Sequence, residues 1–135
     1  MTAELSYYLG ELRAGHVDRV YVDLVQLDDS YVSALIDAYK TETDVDVKAV
    51  LVEVIYWHHR LPEIVTFLAE ALRHPNPKIW HNALDGLVAF GTPECLETLK
   101  KERAYLVPDA NSSDAATRIE WVDEAIDQIN HGFFN

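Results

Sequence analysis

The sequence has few of the residues that build disulfides, metal sites and phosphate sites. Cys95 is its only cysteine, so an internal disulfide framework and a zinc site made of cysteine pairs are both excluded. A single thiol is typical of a protein made for a reducing compartment, and we therefore predict a cytoplasmic location. No glycine-rich phosphate loop, serine elbow or zinc spacing occurs in the chain. We accordingly expect a protein that is not an enzyme and that needs no cofactor.

Long apolar runs are also missing. No run approaches the roughly 20 apolar residues that span a bilayer, so no membrane segment is predicted. The start of the chain, Met1-Thr2-Ala3-Glu4, lacks the basic residues and the apolar core of a signal peptide. These two absences predict a soluble protein without a membrane partner.

Basic residues are scarce. The chain has 11 Lys and Arg against 23 Asp and Glu, which gives a formal net charge of -12. Such a surface repels phosphate, so nucleic acid and anionic membranes are poor partners and a basic protein is a better one. The simpler alternative, that the acidity only keeps a small protein in solution, stays open at this point.

Apolar residues make up 49% of the chain, and most of them recur at helical spacing. This content is sufficient for a single domain with one hydrophobic core. The segment 16–27 is ambiguous, because Val20, Val22 and Leu24 alternate as in a strand while Val17, Val20 and Leu24 also fit one helix face. A lone strand would have no partner elsewhere in the chain, so we predict a helix.

The predicted organisation is one domain in four parts. These are an irregular N-terminal helical cap at 1–27, stacked hairpins at 28–104, a loop at 105–113, and a C-terminal capping helix with a tail at 114–135. The helix over 47–57 is apolar at nearly every position and is expected at the centre of the domain. The tail contains Phe133 and Phe134, which we expect to pack onto the core.

The stretch from Pro75 to Leu99 predicts a complete helical hairpin. Pro77 suits the first turn of a helix, and Gly91 follows the last apolar residue as a stop. Thr92 then provides a cap for a second helix that begins with proline.

The preceding hairpin has the same order of features. Each consists of an apolar helix, a short turn, a Pro-Glu pair and a second apolar helix, and the pairs Pro62-Glu63 and Pro93-Glu94 stand one repeat apart. A helical repeat of about thirty residues is typical of a stacked solenoid, in which each hairpin buries its face against its neighbours.

The segment 74–99 resembles a HEAT repeat, a helical hairpin of the armadillo type. The residues that carry the match are Pro77, Lys78, Ala83, Leu84, Leu87, Gly91, Pro93, Glu94, Leu96 and Leu99. The preceding hairpin matches in part, and residues 1–27 do not match. The resemblance implies an all-α fold, a right-handed α-α superhelix of stacked HEAT-like hairpins with about seven helices, and a function in protein binding.

Small acidic proteins of the HEAT-like type resemble bacterial immunity proteins, which neutralise cationic nuclease toxins. This resemblance implies stoichiometric blockade of a basic toxin, with surface carboxylates mimicking the phosphates of the toxin's substrate. Two alternatives remain, a general HEAT-like adaptor for another protein and a HEAT-like enzyme that uses histidines or Cys95. HEAT-like DNA glycosylases need a basic concave face, and this chain has the opposite charge. We expect a monomer or a weak dimer.

The candidate partner-binding residues are carboxylates on predicted solvent faces, one tryptophan and the histidine beside it. They are Glu53, Glu63, Glu70, Trp80, His81, Asp85, Glu94 and Glu97. Trp80 is in the first turn of its helix, where a stack of hairpins exposes residues, and exposed tryptophans dominate binding hot spots. Trp57 and Trp121 lie close to apolar stripes and are expected in the core.

Four histidines near helix ends could in principle surround a metal together with Glu53 or Asp85: His58, His59, His74 and His81. Their spacing does not favour this, because ligands on one helix face stand three or four residues apart. Cys95 is at a helix N-terminus, where a thiol pKa is lowered, but no histidine pairs with it and packing into the core is favoured. No metal site is therefore predicted.

Overall fold

All regular structure in the described residues is helical, as predicted. The computed structural model describes residues 2–58 and 61–132. The α-helices in these ranges are α1 (Ala3–Arg13), α2 (Val17–Val25), α3 (Val32–Thr41), α4 (Val45–Tyr56), α5 (Glu63–Ala71), α6 (Pro77–Phe90), α7 (Pro93–Leu106) and α8 (Ser113–Asn130). The ambiguous segment at 16–27 contains helix α2, which confirms the helical prediction. The number of helices, eight in the described residues, is one above the predicted value of about seven.

Two 3-10 turns complete the regular structure of these ranges, at Asp29–Tyr31 before α3 and at Val107–Asp109 after α7. The second turn lies within the predicted loop at 105–113, whose first residues belong to α7. None of the helices in the described residues combines the length and the apolarity that crossing a membrane requires. The predicted packing of Phe133 and Phe134 lies outside the described residues.

The helices begin and end at capping residues that the sequence indicates. The side chains of Thr2, Asp44, Asn76, Thr92 and Ser112 accept hydrogen bonds from backbone N–H groups in the first turns of α1, α4, α6, α7 and α8. Pro77 and Pro93 are the first residues of α6 and α7. Gly91 ends α6 in the left-handed conformation with φ of 60°, which favours glycine. The predicted hinge between α6 and α7 is thereby confirmed.

The helices pack in two layers. In the first layer, α2 packs against α4, α4 against α6 and α6 against α8. In the second layer, α5 packs against α7, and the rings of Tyr39 on α3 and Phe67 on α5 meet edge to face at 5.0 Å. Consecutive helices from α3 to α8 pack against each other across the two layers. Helix α1 lies against α2 and α4 of the first layer.

Hydrogen bonds between α4 and α6 show that these helices run in the same direction. Lys78 donates to Asp46 at 2.6 Å, and the Asn82 amide donates to the Ala49 carbonyl at 2.9 Å. The paired residues are 32 and 33 positions apart in the sequence. Because both pairs advance together along the two helices, α4 and α6 are parallel.

Helix α4 is at the centre of the core, as predicted from its composition. Its residues Leu51, Val52, Val54 and Ile55 are all 0% exposed. It packs against α1, α2, α3, α5 and α6. The ring of Tyr56 at its end lies against Gly86 of α6, where a Cβ atom would come within 2.8 Å of the ring. Glycine at this position therefore permits the close packing of α4 on α6.

Two cations, one buried and one partly buried, join the layers by capping helix ends. Arg118 of α8 is 7% exposed and donates to the carbonyls of Leu72, at 2.8 Å, and His74, at 2.9 Å, beyond the end of α5. Lys48 of α4 donates to the Tyr39 carbonyl near the end of α3, at 2.8 Å. The last carbonyls of a helix have no partner within it, so these contacts satisfy them.

Candidate protein-binding surface

The first layer exposes two tryptophans, one directly after α4 and one on α8, that were predicted in the core. Trp57 is 50% exposed and Trp121 is 47% exposed, whereas Trp80 is only 3% exposed. Both core predictions are therefore wrong. Trp57 follows the last residue of α4, outside the apolar stripe, and Trp121 is next to Val122, which takes the buried position on α8.

The burial of Trp80 likewise corrects the expectation that it lies on an exposed ridge. Helix α8 packs on α6, and the Arg118 guanidinium lies 5.0 Å from the centre of the Trp80 ring. Trp80 also contacts His81, with ring centres 3.9 Å apart, and Trp121, at 6.3 Å. Trp80 supports the residues at the surface and does not itself form a surface anchor.

A chain of hydrogen bonds links α2 to the end of α4. The Trp57 indole N–H donates to the Tyr21 hydroxyl at 3.1 Å, and this hydroxyl donates to Glu53 at 2.9 Å. Burial raises the pKa of Tyr21, and the hydrogen bond to Glu53 raises it further. The phenol thus stays protonated and holds both partners. The indole of Trp57 has a fixed orientation although half of it is exposed.

Two carboxylates, Glu53 within this hydrogen-bonded series and Asp85 beside it, have no Lys or Arg partner among the described residues. Burial raises the pKa of Asp85, and the charge of Glu53 adds to this effect while His81 opposes it. Burial together with the charge of Glu53 raises the pKa of Tyr56 to about 12. The negative charges of Glu53 and Asp85 are therefore not compensated by a Lys or Arg of the described residues.

The other end of the surface is a stack of rings between α6 and α8. His81 and Trp121 have ring centres 4.5 Å apart at an interplanar angle of 35°. Burial and the charge of Arg118 lower the pKa of His81, against the opposing effect of Asp85. Two buried nitrogens in the stack, Trp80 Nε1 and His81 Nε2, have no hydrogen-bond partner among the described residues. A neutral His81 suits this apolar stack.

We call this surface the aromatic face and define it by Tyr21, Glu53, Trp57, His81, Asp85 and Trp121. Sequence analysis identified Glu53, His81 and Asp85 but missed Tyr21 as a member. The signal was present, since Tyr21 and Glu53 are 32 residues apart, close to the predicted repeat of about thirty. Extending the repeat by one unit toward the N-terminus pairs these two residues.

The structure divides the predicted partner-binding residues between the two layers. Glu53 lies on α4, and Trp80, His81 and Asp85 lie on α6, all in the first layer. The remaining four residues are exposed on α5 and α7 of the second layer: Glu63, Glu70, Glu94 and Glu97. The predicted set thus does not form a single patch.

Of the four predicted carboxylates on the second layer, Glu70 lies in a groove with basic residues. Glu70 lines a groove of about 370 Å³ between α5 and α7, together with Arg73 and Lys101. Glu94 lines a separate cavity of about 400 Å³ with Pro62. The groove between α5 and α7 is therefore of mixed charge, in contrast to the aromatic face.

The remaining candidates for chemistry are placed in the core or at its edge. Cys95 is 0% exposed, and the Thr92 hydroxyl donates to its sulfur at 3.1 Å, so the prediction of packing is confirmed. His58 is 4% exposed and its Nδ1 lies 3.0 Å from Asp29. His59 lies outside the described residues. Within 2–58 and 61–132, no group of three or more His, Cys, Asp or Glu side chains is arranged to hold a metal ion.

The aromatic face combines flat apolar rings, which bind by excluding water, with carboxylates, which accept hydrogen bonds from cations. This combination suits recognition of another protein. Comparison of the chain with models of known protein families, with curated proteins and with solved structures found no match.

Proposed function

We propose that this chain is a non-enzymatic protein-binding protein whose aromatic face binds a basic protein. The observation that carries the proposal is the pair of half-exposed indoles, Trp57 and Trp121, beside carboxylates that pair with no Lys or Arg among the described residues. Tryptophan is enriched at binding hot spots, and complementary charge speeds the approach of a partner and selects it. The net charge of -12 agrees with a basic partner.

The fold that we propose is a right-handed superhelix of HEAT-like hairpins, α2 with α3, α4 with α5 and α6 with α7, closed by α1 and α8. Three observations support it. Equivalent helices pack on each other within each layer, α4 and α6 are parallel, and hydrogen-bonded pairs across the first layer recur at separations of 32 and 33 residues. These are properties expected of a solenoid of short repeats.

The more specific proposal is an immunity protein that resides in the cytoplasm and neutralises a nuclease-type toxin. Nucleases have basic active sites, because they bind a phosphate backbone. A rigid surface of carboxylates and indoles can cover such a site and compete with the nucleic acid. The exposed carboxylates of the second layer, such as Glu63 and Glu94, then extend the negative field that steers the toxin toward the chain.

The test is capture of the partner from the native host on immobilised protein, at salt concentrations from about 0.05 M to 0.5 M. We expect a basic protein that is retained at low salt and released at high salt. When purified, this protein should cleave nucleic acid, and one equivalent of the chain should abolish the cleavage. Salt-independent capture of a neutral or acidic protein would refute charge-steered neutralisation.

A general adaptor is the second candidate, and the groove between α5 and α7 favours it. Its charges are mixed, with Glu70 and Glu102 opposite Arg73 and Lys101, so it suits a neutral partner. The same capture experiment separates the two candidates. An adaptor of this kind holds its partner across the salt series, and substitutions of Glu70 and Lys101 weaken the complex.

A further inference from the structure

We propose that the aromatic face recognises an arginine in an exposed segment of the partner. Its guanidinium is held between Glu53 and Asp85, and the residues beside it pack on the indoles of Trp57 and Trp121. This inference rests on the proposed function and specifies the chemistry of the partner at the site.

The first argument is the distribution of charge. Some carboxylates between neighbouring helices have basic partners, as in the pairs Arg13–Glu42, Arg73–Glu102 and Arg103–Asp123. Glu53 and Asp85 have no Lys or Arg partner among the described residues. Tyr21 satisfies only one oxygen of Glu53. The missing cation can therefore come from a partner, whose charge-assisted hydrogen bonds are stronger than neutral ones.

The second argument is the shape of the apolar part. Trp57 is fixed by its hydrogen bond to Tyr21, and Trp121 is stacked on His81. Both indoles are therefore positioned before a partner arrives, which lowers the entropy lost on binding. A planar guanidinium stacks on aromatic rings and binds carboxylates in a bidentate manner, while an ammonium group does neither as well. This favours arginine over lysine.

The third argument concerns the other possible occupants. A second copy of the chain would bring together the same face of two proteins, and each of these proteins has a formal net charge of -12. Nucleic acid and an anionic membrane are repelled for the same reason. Charge complementarity leaves a basic protein segment as the occupant.

The experiment uses a short synthetic peptide with two arginines as the probe, and the same peptide with citrulline as its neutral, nearly isosteric control. The chain has three tryptophans, so its indole N–H signals can be followed by nuclear magnetic resonance and assigned with Trp57→Phe and Trp121→Phe. We expect the signals of Trp57 and Trp121 to shift together and to saturate with the arginine peptide. Equal shifts with the citrulline peptide would overturn the inference.

Paired variants locate the site. Glu53→Gln with Asp85→Asn should weaken binding of the arginine peptide about fivefold or more, because the charges of both acceptors are lost. The matched control, Glu63→Gln with Glu94→Gln, removes two charges from the second layer and should change the affinity by less than about twofold. Equal losses in both double variants would indicate only a general effect of net charge and would overturn the inference. Thermal unfolding of each variant verifies that it folds.

Capture of the native partner distinguishes this inference from the proposed function. If the wild-type chain captures a basic protein, and only the Glu63 and Glu94 variant loses it, the proposed function stands and the arginine site is wrong. If the wild-type chain captures no basic protein, the proposed function fails and the inference falls with it. A dimer in sedimentation equilibrium that Trp121→Ala dissociates would assign the face to a second copy and would also overturn the inference.

Discussion

Two carboxylates in the second layer of helices and two in the first layer differ in their burial and in their partners. In the second layer, Glu42 and Glu102 are 8% and 5% exposed, and each pairs with an arginine 29 residues away. In the first layer, Glu53 and Asp85 lie among half-exposed rings and pair with no Lys or Arg among the described residues. Paired charges at buried positions hold a fold together, whereas unpaired charges beside exposed indoles are available to a partner. We therefore predict that the first set of carboxylates stabilises the fold, and we propose that the second set takes part in recognition.

The largest effect that we predict is on the contact that holds the layers together. Arg118→Met removes the donors to the carbonyls of Leu72 and His74 but keeps an apolar side chain of similar length. We expect the free energy of unfolding to fall by about 3 kcal/mol, because buried carbonyls at the end of α5 lose charged donors. Chemical denaturation measures this change.

The matched control is Arg103→Met. Arg103 pairs with Asp123 at 2.6 Å, but both side chains are about half exposed. An exposed ion pair contributes only about 0.5 kcal/mol. If both arginine variants lost the same stability, Arg118 would not be a structural cap and α8 would be held by its apolar contacts alone.

The next largest effect is within the first layer. Gly86→Ala places a methyl group 2.8 Å from Cδ2 and 3.0 Å from Cγ of the Tyr56 ring. These atoms are close to the backbone of α4 and cannot move without the whole ring, so we expect a loss of about 2 kcal/mol. Gly10→Ala is the control, since a Cβ there meets no atom within 4 Å, and it should stabilise α1. Thermal melting of both variants gives the comparison.

Much of this fold could be predicted from local sequence, and the reasons are specific. Capping residues such as Asp44 and Thr92 act on backbone groups two or three positions away, so their effect is visible in the sequence. Gly91 and the prolines that begin α6 and α7 likewise act on the backbone at their own positions. Apolar spacing also identified α4 as the central helix, because a helix without a polar face has to be covered by other helices on all sides.

The aromatic face could be predicted only in part, because it depends on contacts between distant residues. The Trp57 indole meets a hydroxyl 36 residues away, and Arg118 meets carbonyls 44 and 46 residues away. Periodicity also assigns a tryptophan at the edge of an apolar stripe to the core. Whether such a residue is covered depends on the neighbouring helix, as Trp80 under α8 and the exposed Trp121 show.

A smaller effect is predicted for the paired charges of the second layer, and it depends on pH. Burial opposes ionisation of Glu42, but the hydrogen bonds from Arg13 and from the backbone of Asp44 and Thr43 outweigh it and lower its pKa. A carboxyl whose pKa is lowered in the folded state stabilises the fold above its unfolded pKa. This contribution is lost as the pH falls through the folded pKa.

Glu42→Gln tests this assignment. We expect a loss of about 1–2 kcal/mol at pH 7, which shrinks as the pH falls from the unfolded pKa of the carboxyl through its lower folded pKa, because the wild-type group is then protonated in both states. Denaturant unfolding from pH 7 down to about pH 2 measures the difference between the two proteins. Glu97→Gln, at an exposed position on α7, should differ little from wild type throughout. A constant difference for Glu42→Gln across this range would mean that its charge does not stabilise the second layer.

The smallest effect on stability, and the sharpest test of the comparison, is predicted for Tyr21→Phe. The substitution keeps the ring between α2 and α4 but removes the hydroxyl that joins the Trp57 indole to Glu53. The free energy of unfolding should fall by about 1 kcal/mol or less, since Trp57 and Glu53 can both bond to water. Binding of a basic partner should weaken more than stability does, because the indole is no longer held in one orientation. The control is Tyr105→Phe, which changes an exposed ring of α7 and should leave binding unchanged. Calorimetry measures the dissociation constant of each variant. A larger increase for Tyr21→Phe than for Tyr105→Phe is the result expected if the first layer serves recognition.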